Sequence, residues 1–196
     1  MGFFRNLYRE ARDIVGLKPP AENETQLAER ICGEVKSELG GKKTQEGEDW
    51  KLTTNQGGRN VEIIFEAAGA RANFIIASEL EGGPTFILYH DPSGGKEPAP
   101  KGMTRINVAG GVFVEGTKAE AQTQEQMWKA LSTGTRANAS GIVTKYKGTF
   151  GYEDSAFKFG PEVQTLVGPS AKYNVKMQLT TLLQLCTDIE KAWNAL

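Results

Sequence analysis

The apolar positions change period along the chain, and the changes divide it. Residues 3–15 repeat with the helical period: Phe3, Phe4, Leu7, Tyr8, Ala11, Ile14 and Val15 fall within roughly 140° of arc at 100° per residue. Arg5, Asn6, Arg9, Arg12 and Asp13 take the other side. Gly16 stops this helix, and Lys18-Pro19-Pro20 makes a stiff exit. A second helix is expected over Thr25–Leu39, with Leu27, Ile31, Val35 and Leu39 at four-residue steps. Asn23 with Gln26 three residues on reads as a capping box at its start, and Gly40-Gly41 ends it.

From Trp50 the period falls to two. Trp50–Thr54 is the expected first strand, turned by Asn55-Gln56-Gly57-Gly58. Val61, Ile63 and Phe65 alternate with polar neighbours, as a half-buried strand does. Arg71–Glu79 and Thr85–His90 are β-rich runs, bounded by Ala68-Gly69-Ala70 and by Glu81-Gly82-Gly83-Pro84. Thr104–Ala109 and Val112–Glu115 continue around Gly110-Gly111. Connections this short favour an antiparallel meander, because a parallel crossover needs a dozen residues or more. Gln124–Ser132 then reads as a short helix carrying Met127, Trp128 and Leu131. A Gly/Ser/Asn loop follows, then strands over Ile142–Phe150 and near Tyr152–Phe159. Asn174 is the expected cap of a long final helix, with Val175, Leu179, Leu182, Leu183, Cys186, Ile189, Trp193 and Leu196 on one face.

The expected fold class is therefore α+β: an antiparallel sheet of six to eight strands packed against a long C-terminal helix, with helices at the N-terminus. Residues 1–18 form an amphipathic helix and residues 23–196 a single domain. The element order of residues 23–196 is similar to the α+β layout of type III secretion chaperones and related small bacterial domains, a resemblance that implies an adaptor or chaperone-like role.

Composition adds exclusions. The 196 residues carry 23 basic and 24 acidic side chains, a net charge of −1 that argues against a dedicated nucleic-acid binder. The first hundred residues hold 12 basic and 16 acidic groups, the remainder 11 and 8. Such a small asymmetry reads as solvated faces before it reads as a steering dipole. The two cysteines, Cys32 and Cys186, sit inside helical patterns without the C-x-x-C spacing of a metal or redox site and read as buried hydrophobes. No apolar secretory run opens the chain, so the expected location is cytoplasmic.

Candidate chemistry is sparse. His90 ends a strand and precedes Asp91, Pro92 and Ser93, but adjacency in sequence does not build a relay. Asp-Pro initiates a turn, and His90 reads as a satisfied histidine on the sheet rim. One histidine allows no His-based metal cluster, and Glu46-Gly47-Glu48-Asp49 lacks the EF-hand spacing. Gly41-Lys42-Lys43-Thr44 is no P-loop and no G-x-G-x-x-G occurs, so no cofactor and no metal are expected. Lys145 and Lys147 around Tyr146 match a pattern of single-strand-binding sheets, although such lysines are ordinary on the outer face of a strand.

The longest aperiodic stretch is Asp91–Met103, with three prolines and three glycines. Loops of that length are either functional or simple surface connections; its candidate binding residues are Asp91, Ser93, Lys96 and Lys101. The other candidates are Phe3, Phe4, Leu7, Tyr8 and Ile14, whose apolar arc needs burial against a partner or second copy, the chain's own core, or a membrane surface, in that order. Asn6 leaves the Met-Gly start short of the myristoylation pattern. The leading reading is a non-enzymatic protein-interaction, adaptor or chaperone-like domain with the N-terminal helix as its contact element. The alternative is an apolar-ligand binding domain with a pocket between the sheet and the C-terminal helix.

Overall fold

The structure, a computed structural model, describes residues 23–80, 86–96 and 98–196. The expected helix over residues 3–15, with Phe3, Phe4, Leu7, Tyr8 and Ile14, lies outside the described residues, as does the turn at residues 81–84. Helix α1 spans Glu24–Leu39 and opens with the expected box: the Asn23 side chain accepts from the Gln26 amide at 2.8 Å while Gln26 accepts from the Asn23 amide at 3.3 Å. Its Ile31, Cys32 and Val35 are fully buried.

Among the described residues nine strands, against the six to eight expected, build the antiparallel sheet of the expected α+β class. They are β1 (Lys42–Glu46), β2 (Asp49–Gln56), β3 (Arg59–Glu66), β4 (Arg71–Ala77), β5 (Phe86–His90), β6 (Thr104–Ala109), β7 (Val112–Gly116), β8 (Thr149–Glu153) and β9 (Ala156–Gly160). All the pairings are antiparallel, in the order β1-β2-β3-β4-β9-β8-β5-β7-β6. β1 adds a strand before the expected first one. Its sequence, Lys-Lys-Thr-Gln-Glu, shows no apolar alternation because it is a sheet edge, where charge discourages pairing with other chains. The β2–β3 hairpin closes through Gly57-Gly58 alone, with φ of +60° and +83°, the left-handed pair that a two-residue turn demands.

The meander holds from β1 to β4 and then breaks. The β8–β9 hairpin inserts between β4 and β5, which sets those two strands three spacings apart, roughly 14 Å. Phe150, Phe157 and Phe159 fill this central position at 0–2% exposure, facing Leu88, Ile76 and Phe74 respectively. Phe150 with Tyr152 on β8, and Phe157 with Phe159 on β9, thus decide a neighbourhood that chain order does not.

Helices α2 (Lys118–Ala130), α3 (Thr133–Tyr146) and α4 (Ala171–Trp193) complete the fold. α2 starts six residues earlier than the period suggests, at a Thr117–Glu120 capping box. α3 replaces the expected loop and the expected strand as far as Tyr146, and of Ile142–Phe150 only Thr149 and Phe150 are strand, at the start of β8. Ser132 caps α3 by accepting from the Thr135 amide, and Thr135, Ala139, Ile142, Val143 and Tyr146 are buried at helical spacing. Ile-Val-Thr reads as strand by propensity, yet tertiary burial overrides so weak a preference. Lys147, at φ +47°, ends the helix, so Lys145, Tyr146 and Lys147 do not share a strand. α4 begins before Asn174, which lies within its first turns and caps nothing. Val175, Leu179, Leu182, Leu185, Cys186 and Ile189 join strands β2–β5 and β7–β9 in one core. Leu196, expected on the same face, is past the helix end and exposed.

Candidate interaction site

The loop after β5 is tied down at its start. Asp91 Oδ1 accepts from the Ser93 amide at 2.7 Å, and Oδ2 accepts from the Gly95 amide at 3.1 Å and from Arg105 Nη1 at 3.3 Å. The hydrogen bonds at Ser93 first, then those from Gly95 and the charge of Arg105, hold the carboxyl below its ordinary range. Gly95 lies flat on Phe113, where an added Cβ would come 2.8 Å from Cζ. Arg105 Nε also donates to Glu115 Oε2 at 3.0 Å, as does the Tyr89 hydroxyl at 3.1 Å. Burial, then that bond to Glu115, pushes Tyr89 up to about 12. The Arg105 guanidinium stacks 5.4 Å from the Tyr89 ring and 5.9 Å from the Phe113 ring.

Of the four loop candidates, Asp91 and Ser93 are therefore brought together, but both are already engaged, Asp91 by the loop amides and Arg105 and Ser93 Oγ by the Lys96 amide, from which it accepts. Lys96 and Lys101 point to solvent, and their ammonium groups meet no partner among the described residues. Aspartate as a turn hub was visible in Asp-Pro-Ser-Gly; its grip on Arg105, fourteen residues on, was not.

Among the described residues, two of the grooves that indent the surface lie away from the interface between the sheet and α4. One, of about 440 Å³, runs beside edge strand β6, from Asn107, Val108 and Ala109 to Trp128 of α2 and Arg136 and Ala137 of α3. Val108 sits at a bulge in the β6–β7 pairing, which twists the edge away from its partner. The other, of about 220 Å³, lies between α3 and α4, lined by Ile142, Lys145, Tyr146, Met177, Gln178 and neighbours. Met177 and Tyr173, one turn apart on α4, are 48% and 63% exposed there and nearby on the helix. Gln178 is the residue sequence reasoning passed over. It falls on the apolar arc between Val175, Leu179 and Leu182, and a glutamine in that position was the available signal.

The remaining candidates have structural settings. His90 Nδ1 is buried and makes no hydrogen bond among the described residues, which corrects the expectation of a satisfied histidine; the ring lies at the strand end beside Gly111. Burial raises the Cys32 thiol to about 11 and raises that of Cys186 further still, so both behave as apolar groups. Among the described residues no group of three His, Cys, Asp or Glu side chains is placed to hold a metal ion, and no helix is long and apolar enough to cross a membrane.

No protein-family model matches the chain, and no curated protein sequence matches it. Among solved structures it is similar to the mycobacterial trehalose monomycolate transport factor A, TtfA, with a TM-score of 0.51 and 13% identity over 85% of this chain and 93% of that one. At that identity the likeness is one of fold, and it extends over nearly the whole of both chains.

Proposed function

We propose that this chain is a non-enzymatic, adaptor-like protein-interaction domain, cytoplasmic, with residues 3–15 as its principal contact element. The observation that supports the reading is the core of the described residues, which runs from Ala28 to Ala192 with its large side chains buried to within a few per cent. On this reading the seven apolar side chains on one arc before Pro19-Pro20 are left for contact with another molecule. A partner protein or a second copy fits it best. Arg5, Arg9 and Arg12 against Glu10 and Asp13 leave too little positive charge for strong attraction to anionic lipid. The fold shared with a transport factor agrees with an adaptor-like role.

The test is Phe4→Asp with Leu7→Asp in the full chain. The expected result is an unchanged melting temperature together with loss of self-association or partner binding, measured by sedimentation and by affinity capture. A large fall in melting temperature would place the segment in the core and overturn the reading.

A further inference from the structure

Three buried polar atoms in the α3–α4 seam have no hydrogen-bond partner among the described residues. Gln178 is 1% exposed, and both its Oε1 and its Nε2 lack a partner among the described residues; so does the hydroxyl of Tyr146, itself 8% exposed. An unpaired buried amide or hydroxyl costs free energy on the scale of a lost hydrogen bond, and native proteins keep few of them. Here the three atoms belong to two residues on facing helices, and both residues line the same 220 Å³ groove. Leucine at 178 would suit the arc of Val175, Leu179 and Leu182 without that cost. The glutamine is better explained by something that enters the seam.

We propose that the α3–α4 groove is a recognition site for one extended residue, with an apolar side chain, in a segment of a protein partner. That residue's carbonyl oxygen accepts from Gln178 Nε2 and from the Tyr146 hydroxyl, while its own main-chain N–H donates to Gln178 Oε1. A carboxamide side chain presents a donor and an acceptor side by side, and the N–H and C=O of one extended residue, which point to the same side of the chain, present the reciprocal pair. A carboxylate would leave Oε1 unpaired, and a hydrocarbon would leave all three atoms so. The adjacent apolar side chain rests against Ile142 and Met177. Lys145 is among the lining residues and no acidic side chain is, which selects a neutral or acidic segment. Both amide atoms of Gln178 are buried, so a lining side chain must turn aside to admit the peptide. Met177, half exposed, unbranched and freely rotatable, is suited to that.

That the occupant is a protein rests on the interaction reading above; the site itself is tested without it. N-acetyl-leucinamide, one peptide-flanked leucine, is titrated into the full chain while the Gln178 side-chain NH₂ and the Met177 methyl are followed by NMR. Both resonances shift saturably, with half-saturation on the order of a few millimolar, ordinary for so small a fragment. Gln178→Leu weakens this at least about tenfold while the melting temperature holds or rises, because the unpaired amide is gone. Tyr146→Phe, which removes one oxygen, weakens it several-fold in a chain that folds as before. Resonances that stay still about tenfold above that concentration overturn the proposal, an ordered water being then the amide's only partner. A sharp loss of stability in Gln178→Leu overturns it as well, since the amide would then be bonded within the fold. Fragment binding that survives alongside failure of the Phe4 and Leu7 test would leave this site standing and remove only the N-terminal contact.

Discussion

Glu190 near the end of α4 receives Arg59 from the start of β3 in a two-point grip across 131 residues of sequence, Nη1 to Oε1 at 2.8 Å and Nη2 to Oε2. Oε1 also accepts from the Ser78 hydroxyl and the Glu79 amide, each at 2.9 Å. Both side chains are buried, at 6% and 7% exposure. The pair pins the last turns of α4 to the ends of β3 and β4. Removing one partner strands the other charge in the interior, so Arg59→Ala should cost about 3–5 kcal/mol in urea denaturation. The double variant Arg59→Met, Glu190→Leu should recover most of that loss, because no buried charge remains.

The same pair sets an acid limit. Burial favours the neutral form of Glu190, but the bonds from Arg59, Glu79 and Ser78 outweigh it, and its pKa lies below the ordinary 4.5. A carboxyl lowered in the folded state contributes stability that is complete above its unfolded pKa and disappears as pH falls through the folded one. Stability of the wild-type chain should therefore fall below about pH 4.5 more steeply than that of Glu190→Gln. Melting temperatures between pH 3 and 6 measure the difference.

Gln124 replaces a missing rung. The β5–β7 register ends at Leu88↔Val114, and the buried Gln124 side chain accepts from the Ile87 amide at 3.4 Å and donates to the Glu115 carbonyl at 3.1 Å. Gln124→Leu leaves both backbone groups without that partner and should cost about 1–3 kcal/mol. Hydrogen exchange at the Ile87 amide should accelerate in parallel; unchanged exchange would show that water takes over the bond.

Asp91→Ala should release the loop that follows β5. Its carboxylate organises Ser93, Gly95 and Arg105 together, so tryptic cleavage after Lys96 or Lys101 should quicken several-fold while the rest of the chain resists. Cleavage at the wild-type rate would show that the Gly95–Phe113 contact alone holds the loop.

Both thiols should be silent in the folded protein. With burial raising Cys32 to about 11 and Cys186 beyond it, neither forms thiolate at pH 8 to any useful extent. A chromogenic disulfide reagent should find no reactive thiol in native buffer and two in urea.

What the sequence determined by itself was local. The α1 capping box is written in Asn23 and Gln26, the β2–β3 turn in Gly57-Gly58, and the α4 core face in Val175, Leu179, Leu182, Cys186 and Ile189, because caps, turns and periodic faces depend on residues within a turn or two of one another. Tertiary structure decided the rest. Ile142-Val143-Thr144 became helix because burial of one face outweighs a preference of tenths of a kcal/mol. Lys42–Glu46 became a strand because β2 pairs with it, and the β8–β9 hairpin split the meander because its aromatic face completes the core between β4 and β5. The grip of Glu190 on Arg59, and the unpaired amide of Gln178 beside Tyr146, arise where distant segments meet, and the energy of such meetings is carried by neither segment alone.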